Sequence, residues 1–127
     1  MLQLLTRIDI VDNSGVINAR IIKVLTPKNS KIAKVGSLVM ISAKNVIKNA
    51  NIIPGSKFKT LIIRSKNSLK TSNYILKGDT NAGVLVKAAP KNEEFLPVGT
   101  RIRGPISFSL YRLSGYQKVI SIAKHVI

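Results

Sequence analysis

Acid–base or metal chemistry in this chain would have to come from five carboxylates and one histidine. Asp12, Asp79 and His125 are the set that a metal-dependent nuclease or RNA-modifying enzyme would use. Their settings point elsewhere. Asp12 in VDNSG and Asp79 in KGDTNAG stand among turn residues, where a carboxylate accepts neighbouring backbone N–H groups. His125 lies two residues from the last position, and the adjacent Glu93 and Glu94 in KAAPKNEEFLPVG have no apolar surroundings to perturb them. The absence of cysteine excludes thiolate metal sites, disulfides and cysteine nucleophiles. GDTNAG lacks both the Lys-Ser/Thr ending of a P-loop and the spacing of a dinucleotide fingerprint. The expectation is a protein with no catalytic step, no metal, no cofactor and no small-molecule substrate.

The cations carry the chemistry instead. Lys and Arg number 21 against 5 Asp and Glu, a formal net charge of +16 that is spread along all 127 residues. Such self-repulsion is relieved by a polyanion, and nucleic acid is the leading one. In GTRIRGP, residues 99–105, an extended backbone places Arg101 and Arg103 on one side and Ile102 on the other, so the segment can be anchored by its apolar face while offering two charges. Lys44, Lys48, Lys57, Lys59, Arg64, Lys66 and Lys70 fall at the ends of apolar runs or between them, where long side chains reach the phosphates of a folded RNA. Three Tyr and three Phe without Trp are too few and scattered for a stacking platform. Binding by shape and charge is expected, with Arg101 and Arg103 among the RNA contacts.

The elements that must position these residues are mostly strands. RIDIVDNSGVINARIIKVL reads as two strands joined at Asp12-Asn13-Ser14-Gly15, a hairpin signal. Further strands are expected at residues 37–43, 58–65, 74–77 and 83–87, with Pro54-Gly55 at the centre of a type II turn. KAAPKNEEFLPVG reads as a loop. Tyr116, Val119, Ile120, Ala123 and Ile127 recur at helical spacing, which predicts a helix over the C-terminal residues. Short strands with close turn signals fit a barrel or sandwich, and residues 1–127 suit one domain. No apolar run approaches the roughly 20 residues of a membrane span, and MLQLLTRIDIVDNSG is unlike a cleavable targeting segment.

VDNSG, LIIRSK, DTNAGVLV, PVGTRIRGP and YQKVISIAKHVI occur together and in this order. In that combination the chain resembles the universal large-subunit ribosomal protein fourteen (L-fourteen) family over essentially its whole length. The resemblance implies a mainly β fold: a small five-stranded β-barrel with a β-ribbon and a short helical C-terminal region. It also implies a structural role on large-subunit rRNA at the subunit interface, beside other large-subunit proteins, with a bridge to small-subunit rRNA. Thr100, Arg101 and Lys118 fall where the family presents its subunit-interface face, on which a ribosome-silencing factor also docks. Arg103 stands where the family has an apolar or aromatic residue, so RNA, an additional protein and solvent are all open for it. ISFSLYRLSG departs from the family's Arg-Glu-Leu-Arg pattern after Gly-Pro and is one residue longer.

Ile, Lys and Asn, the products of A/T-rich codons, make up 43 of the 127 residues. That bias favours an organelle genome, and hence a mitochondrial ribosome in the matrix, over the cytoplasm of an A/T-rich bacterium. A free, general RNA-binding or RNA-chaperone barrel is the alternative to a ribosomal constituent.

Overall fold

The computed structural model describes residues 2–26, 31–48, 50–66, 69–71, 74–76, 80–88, 94–106, 110 and 115–126. Strands β1 (Arg7–Ile10), β2 (Val16–Val24), β3 (Leu38–Val46), β4 (Lys57–Arg64) and β7 (Ala82–Ala88) follow one another around a sheet that closes on itself, because β1 also pairs with β7. The result is a closed five-stranded barrel. The closing contact is parallel, with Ile10 opposite Gly83, while every other neighbour pair in the barrel is antiparallel. Glycine is required at the seam: a Cβ on Gly83 would come within 2.6 Å of Thr60 Cγ2 and 3.3 Å of Ile8 Cδ1.

Both predicted turns form where their residue types demand. β1 and β2 pair as a hairpin with Arg7 opposite Arg20, and Asp12, Asn13, Ser14 and Gly15 connect them. Gly15 has φ +110 and Gly55 has φ +90, conformations that glycine adopts without a Cβ clash. Ser56 donates its N–H to the Ile53 carbonyl at 3.1 Å, closing the type II turn on Pro54-Gly55.

β4 and β7 are buried on both faces, which explains why TLIIR and GVLV read as unbroken apolar runs. Ile62 and Leu85 point into the barrel with Ile8, Ile10, Val16, Ile21, Val39 and Ile41. Leu61, Ile63, Val84 and Val86 point outward into a second core with Ile102, Ile106, Leu110, Tyr116, Val119 and Ile120. The C-terminal part of the chain is thus laid over the outside of the barrel. β8 (Phe95–Pro97) adds to the free side of β7, with Val86 opposite Pro97, in what the sequence presents as a loop. β5 (Leu69–Thr71) and β6 (Tyr74–Leu76) form a separate antiparallel ribbon.

The C-terminal helix is shorter than its periodicity predicts. α1 (Gln117–Ser121) buries Val119 and Ile120, but it has no side-chain cap at Tyr116 and no acid in its first turn. Ala123 does not continue it. β10 (Ala123–Val126) pairs in parallel with β9 (Ile102–Ile106), Ala123 opposite Ile102 and Val126 opposite Ile106, while Ile127 lies outside the described residues. A strand partner that satisfies backbone groups outweighs the helical spacing of one alanine. Among the described residues no helix is long and apolar enough to cross a membrane.

Candidate nucleic-acid interface

The turn at residues 12–15 and the segment at residues 99–105, nearly ninety positions apart, are built as one unit. Asp12 starts it. Its side chain is 2% exposed; Oδ1 accepts the Ser14 N–H at 3.1 Å and the Ser14 hydroxyl at 2.5 Å, and Oδ2 accepts the Leu85 N–H at 3.2 Å. The carboxylate thereby ties the hairpin turn to β7, a longer reach than the local turn role expected of it. Burial pushes the Asp12 carboxyl above its ordinary 3.8, against the opposing pull of the Ser14 and Leu85 donors and the charge of Arg103.

A raised pKa in the folded state means that the native protein holds this proton more tightly than the unfolded chain. The associated stability is complete below the unfolded value of 3.8 and is lost as pH rises through the folded value. Asp12→Asn removes that dependence and also places an amide N–H₂ against donors, costing about 1–3 kcal/mol. Denaturant unfolding of both proteins across acidic pH is expected to show the wild type's advantage over Asp12→Asn shrinking as pH rises, then levelling off.

Asn13 makes the second link. Its Nδ2 donates to Thr100 Oγ1 at 2.7 Å, and its Oδ1 accepts the Thr100 N–H at 2.6 Å and the Arg101 N–H at 3.3 Å. Gly99 makes the approach possible, since a Cβ there would sit 2.7 Å from Asn13 Oδ1 and 3.1 Å from Asp12 Cβ. Beyond Arg101 the backbone bridges to the turn again, with Ile102 paired to Asp12 and the Arg103 N–H donated to the Val11 carbonyl at 2.8 Å. Gly104, at φ +79, leaves room for the Arg64 guanidinium, which a Cβ would collide with; Arg64 Nη1 donates to the Pro105 carbonyl at 3.5 Å.

The side chains alternate as the sequence predicts. Ile102 is 3% exposed in the second core, and Arg101 and Arg103 are both exposed. Arg103 also acts electrostatically on the Asp12 carboxylate. Lys48 is exposed near this unit, because the Ile47 N–H is donated to the Gly15 carbonyl at 2.8 Å and a Cβ on Gly15 would touch Ala50. Lys118 is exposed on α1, which leads into the strand whose first residue pairs with Ile102. The structure therefore gathers Thr100, Arg101, Arg103 and Lys48 around one turn.

The remaining predicted cations spread farther. Lys44 and Lys57 are exposed on β3 and β4, and Lys66 is exposed just after β4 with its N–H donated to Asn81 Oδ1 at 2.9 Å. Arg64 is half-buried against residues 104–105. Lys59 is half-buried, and its ammonium lies 5.9 Å from the centroid of the Phe95 ring. Phe95 in turn stacks on Tyr116 at 5.2 Å and 8°, so two aromatics that look scattered in the sequence meet. Each ring covers a face of the other, and Lys59 lies over Phe95. The Lys70 and His125 side chains, Asp79 and Glu93 lie outside the described residues.

Asn13 is the positioning residue that the sequence does not reveal, since the type of residue signals a local turn and nothing in its spacing signals Thr100. Among the described residues no three His, Cys, Asp or Glu side chains group as a metal site. The surface is one of fixed cations on a backbone held from behind, suited to phosphates. The family model described as Ribosomal protein L14p/L23e matches residues 1–127. A full-length match on a barrel with this cationic face settles the relationship: the chain belongs to the ribosomal protein L14p/L23e family, whose members are structural constituents of the ribosome that bind ribosomal RNA.

Proposed function

We propose that residues 1–127 act as one domain of the large ribosomal subunit whose face at residues 99–105 lies at the subunit interface and contributes a bridge to small-subunit rRNA. The observation that carries this reading is the Asn13 clamp: three hydrogen bonds fix the backbone of Thr100 and Arg101 while leaving the Arg101 side chain exposed. A solvated segment needs no such bracing, whereas a cation that must meet a fixed phosphate gains from being held in place. Thr100, Arg101 and Lys118 form the face toward the small subunit or a ribosome-silencing factor. Lys44, Lys48, Lys57, Lys59, Arg64, Lys66, Lys70 and Arg103 belong to the surface toward large-subunit rRNA. The Ile, Lys and Asn bias supports a mitochondrial ribosome.

Sedimentation of native lysate and of isolated mitochondria through sucrose after a high-salt wash tests the reading, with the chain followed by mass spectrometry. Co-migration with mitochondrial large subunits is the expected result. Release to the top of the gradient would instead identify a free RNA binder, since contacts made only through phosphates weaken steeply with salt.

A further inference from the structure

The turn at residues 3–6, at the end of the barrel away from Asn13, takes no part in the face described above. The Thr6 N–H is donated to the Gln3 carbonyl at 3.2 Å and the Gln3 N–H to Thr6 Oγ1 at 3.1 Å, closing a β-turn with Leu4 and Leu5 at its centre. Leu5 has φ +66, the conformation that the third position of a type II turn demands and that glycine or asparagine ordinarily supplies. Among the described residues it is the one non-glycine with positive φ. A further bond, from the Leu5 N–H to the Ile21 carbonyl at 2.7 Å, holds the strained residue against β2.

This strain does not bury anything. Leu5 is 72% exposed and Leu4 52% exposed, and Ile22, which follows the residue whose carbonyl holds the Leu5 N–H, is 39% exposed. Exposed Arg7, Arg20 and Lys23 follow on β1 and β2, with Arg7 paired to Arg20, and the one carboxylate of these two strands, Asp9, is farther along β1. The surface is an apolar tip with a cationic border. Phosphates would match the border and leave two leucines in water. A protein surface with an apolar pocket edged by Asp and Glu matches both features.

The geometry points to the Leu4 and Leu5 turn as a docking knob for a neighbouring large-subunit protein that offers an apolar pocket bordered by carboxylates. This rests on the ribosomal reading above and adds to it a second, protein-directed surface.

Large subunits carrying the wild-type chain, Leu5→Asn or Leu4→Ser are treated with a carbodiimide, which couples lysine amines to adjacent carboxylates, and the products are mapped by mass spectrometry. In parallel the purified full chains are melted. Asparagine accepts positive φ, so Leu5→Asn is expected to melt at or above the wild-type temperature. Lys23 coupled to Asp or Glu of another large-subunit protein in the wild type, and coupled about fivefold less in both variants, is the supporting result. Equal coupling in all three chains would overturn the proposal, as would ultraviolet crosslinks from this turn to rRNA with no carbodiimide product. A lowered melting temperature in both variants would also overturn it, by making the leucines part of the fold. If the wild-type chain fails to sediment with large subunits, the ribosomal reading falls and takes this one with it; if it sediments and coupling is unaffected, the docking knob alone is wrong.

Discussion

Ile102→Asp is expected to remove about 4 kcal/mol or more of stability, a large share of the roughly 5–15 kcal/mol that holds a domain of this size. The effect has two sources. Ile102 is 3% exposed in the core formed by the outer faces of β4 and β7 with the C-terminal segment, so its loss removes a full aliphatic side chain from that core. The incoming carboxylate then has to lose its hydration among the aliphatic side chains of that core, since Arg101 and Arg103 point the other way. Ile102 also joins three stretches of backbone, pairing with Asp12 of the turn on one side and Ala123 of β10 on the other. Disorder introduced there frees both the segment at residues 99–105 and β10. Denaturant unfolding monitors the loss, with Ile102→Val as a control costing about 1 kcal/mol. A midpoint equal to wild type in Ile102→Asp would mean that Ile102 is not buried.

The alternation that makes this prediction was legible before the fold was known, because in an extended segment Arg-Ile-Arg can have only one apolar side. The hairpin at Asp12-Asn13-Ser14-Gly15 and the type II turn at Pro54-Gly55 were legible for the same kind of reason: residue type restricts local backbone. The resemblance to a known family supplied the barrel itself, which strand patterns left undecided between barrel and sandwich. What stayed hidden depends on partners distant in the chain. Asn13 looks like any turn asparagine until Gly99 brings Thr100 and Arg101 within its reach. Phe95, Leu96 and Pro97 are too short a run to show a period, and they become a strand only because β7 offers an open side. Ala123 fits a helix by spacing and a strand by partnership, and the exposed backbone of β9 decides. Arg64 reads as a cation reaching for phosphate, and nothing in its spacing signals that its guanidinium also fills the space left by the missing Cβ of Gly104.

Arg101→Glu is expected to weaken association of large with small subunits by about tenfold or more while leaving the melting temperature of the chain close to wild type. The separation of the two effects follows from geometry. The fold uses the Arg101 backbone, whose N–H is donated to Asn13 Oδ1 at 3.3 Å, and that bond survives any side chain at the position. The proposed interface uses only the exposed guanidinium, and reversing its charge replaces a phosphate attraction with a repulsion. Light scattering on subunits mixed over a range of salt measures the change. The deficit is expected to be largest at low salt and to narrow as salt screens the repulsion, because an exposed charge acts within a Debye length of about 10 Å at 0.1 M. Asn13→Ala, which leaves every charge in place but frees the backbone under it, is expected to give a smaller loss of association and a stability cost of about 1 kcal/mol. That order is specific to a held cation: if net charge alone mattered Asn13→Ala would do nothing, and if residues 99–105 served only the fold Arg101→Glu would do nothing. Unchanged association in Arg101→Glu would remove this segment from subunit joining and leave its bracing as a device of the barrel alone.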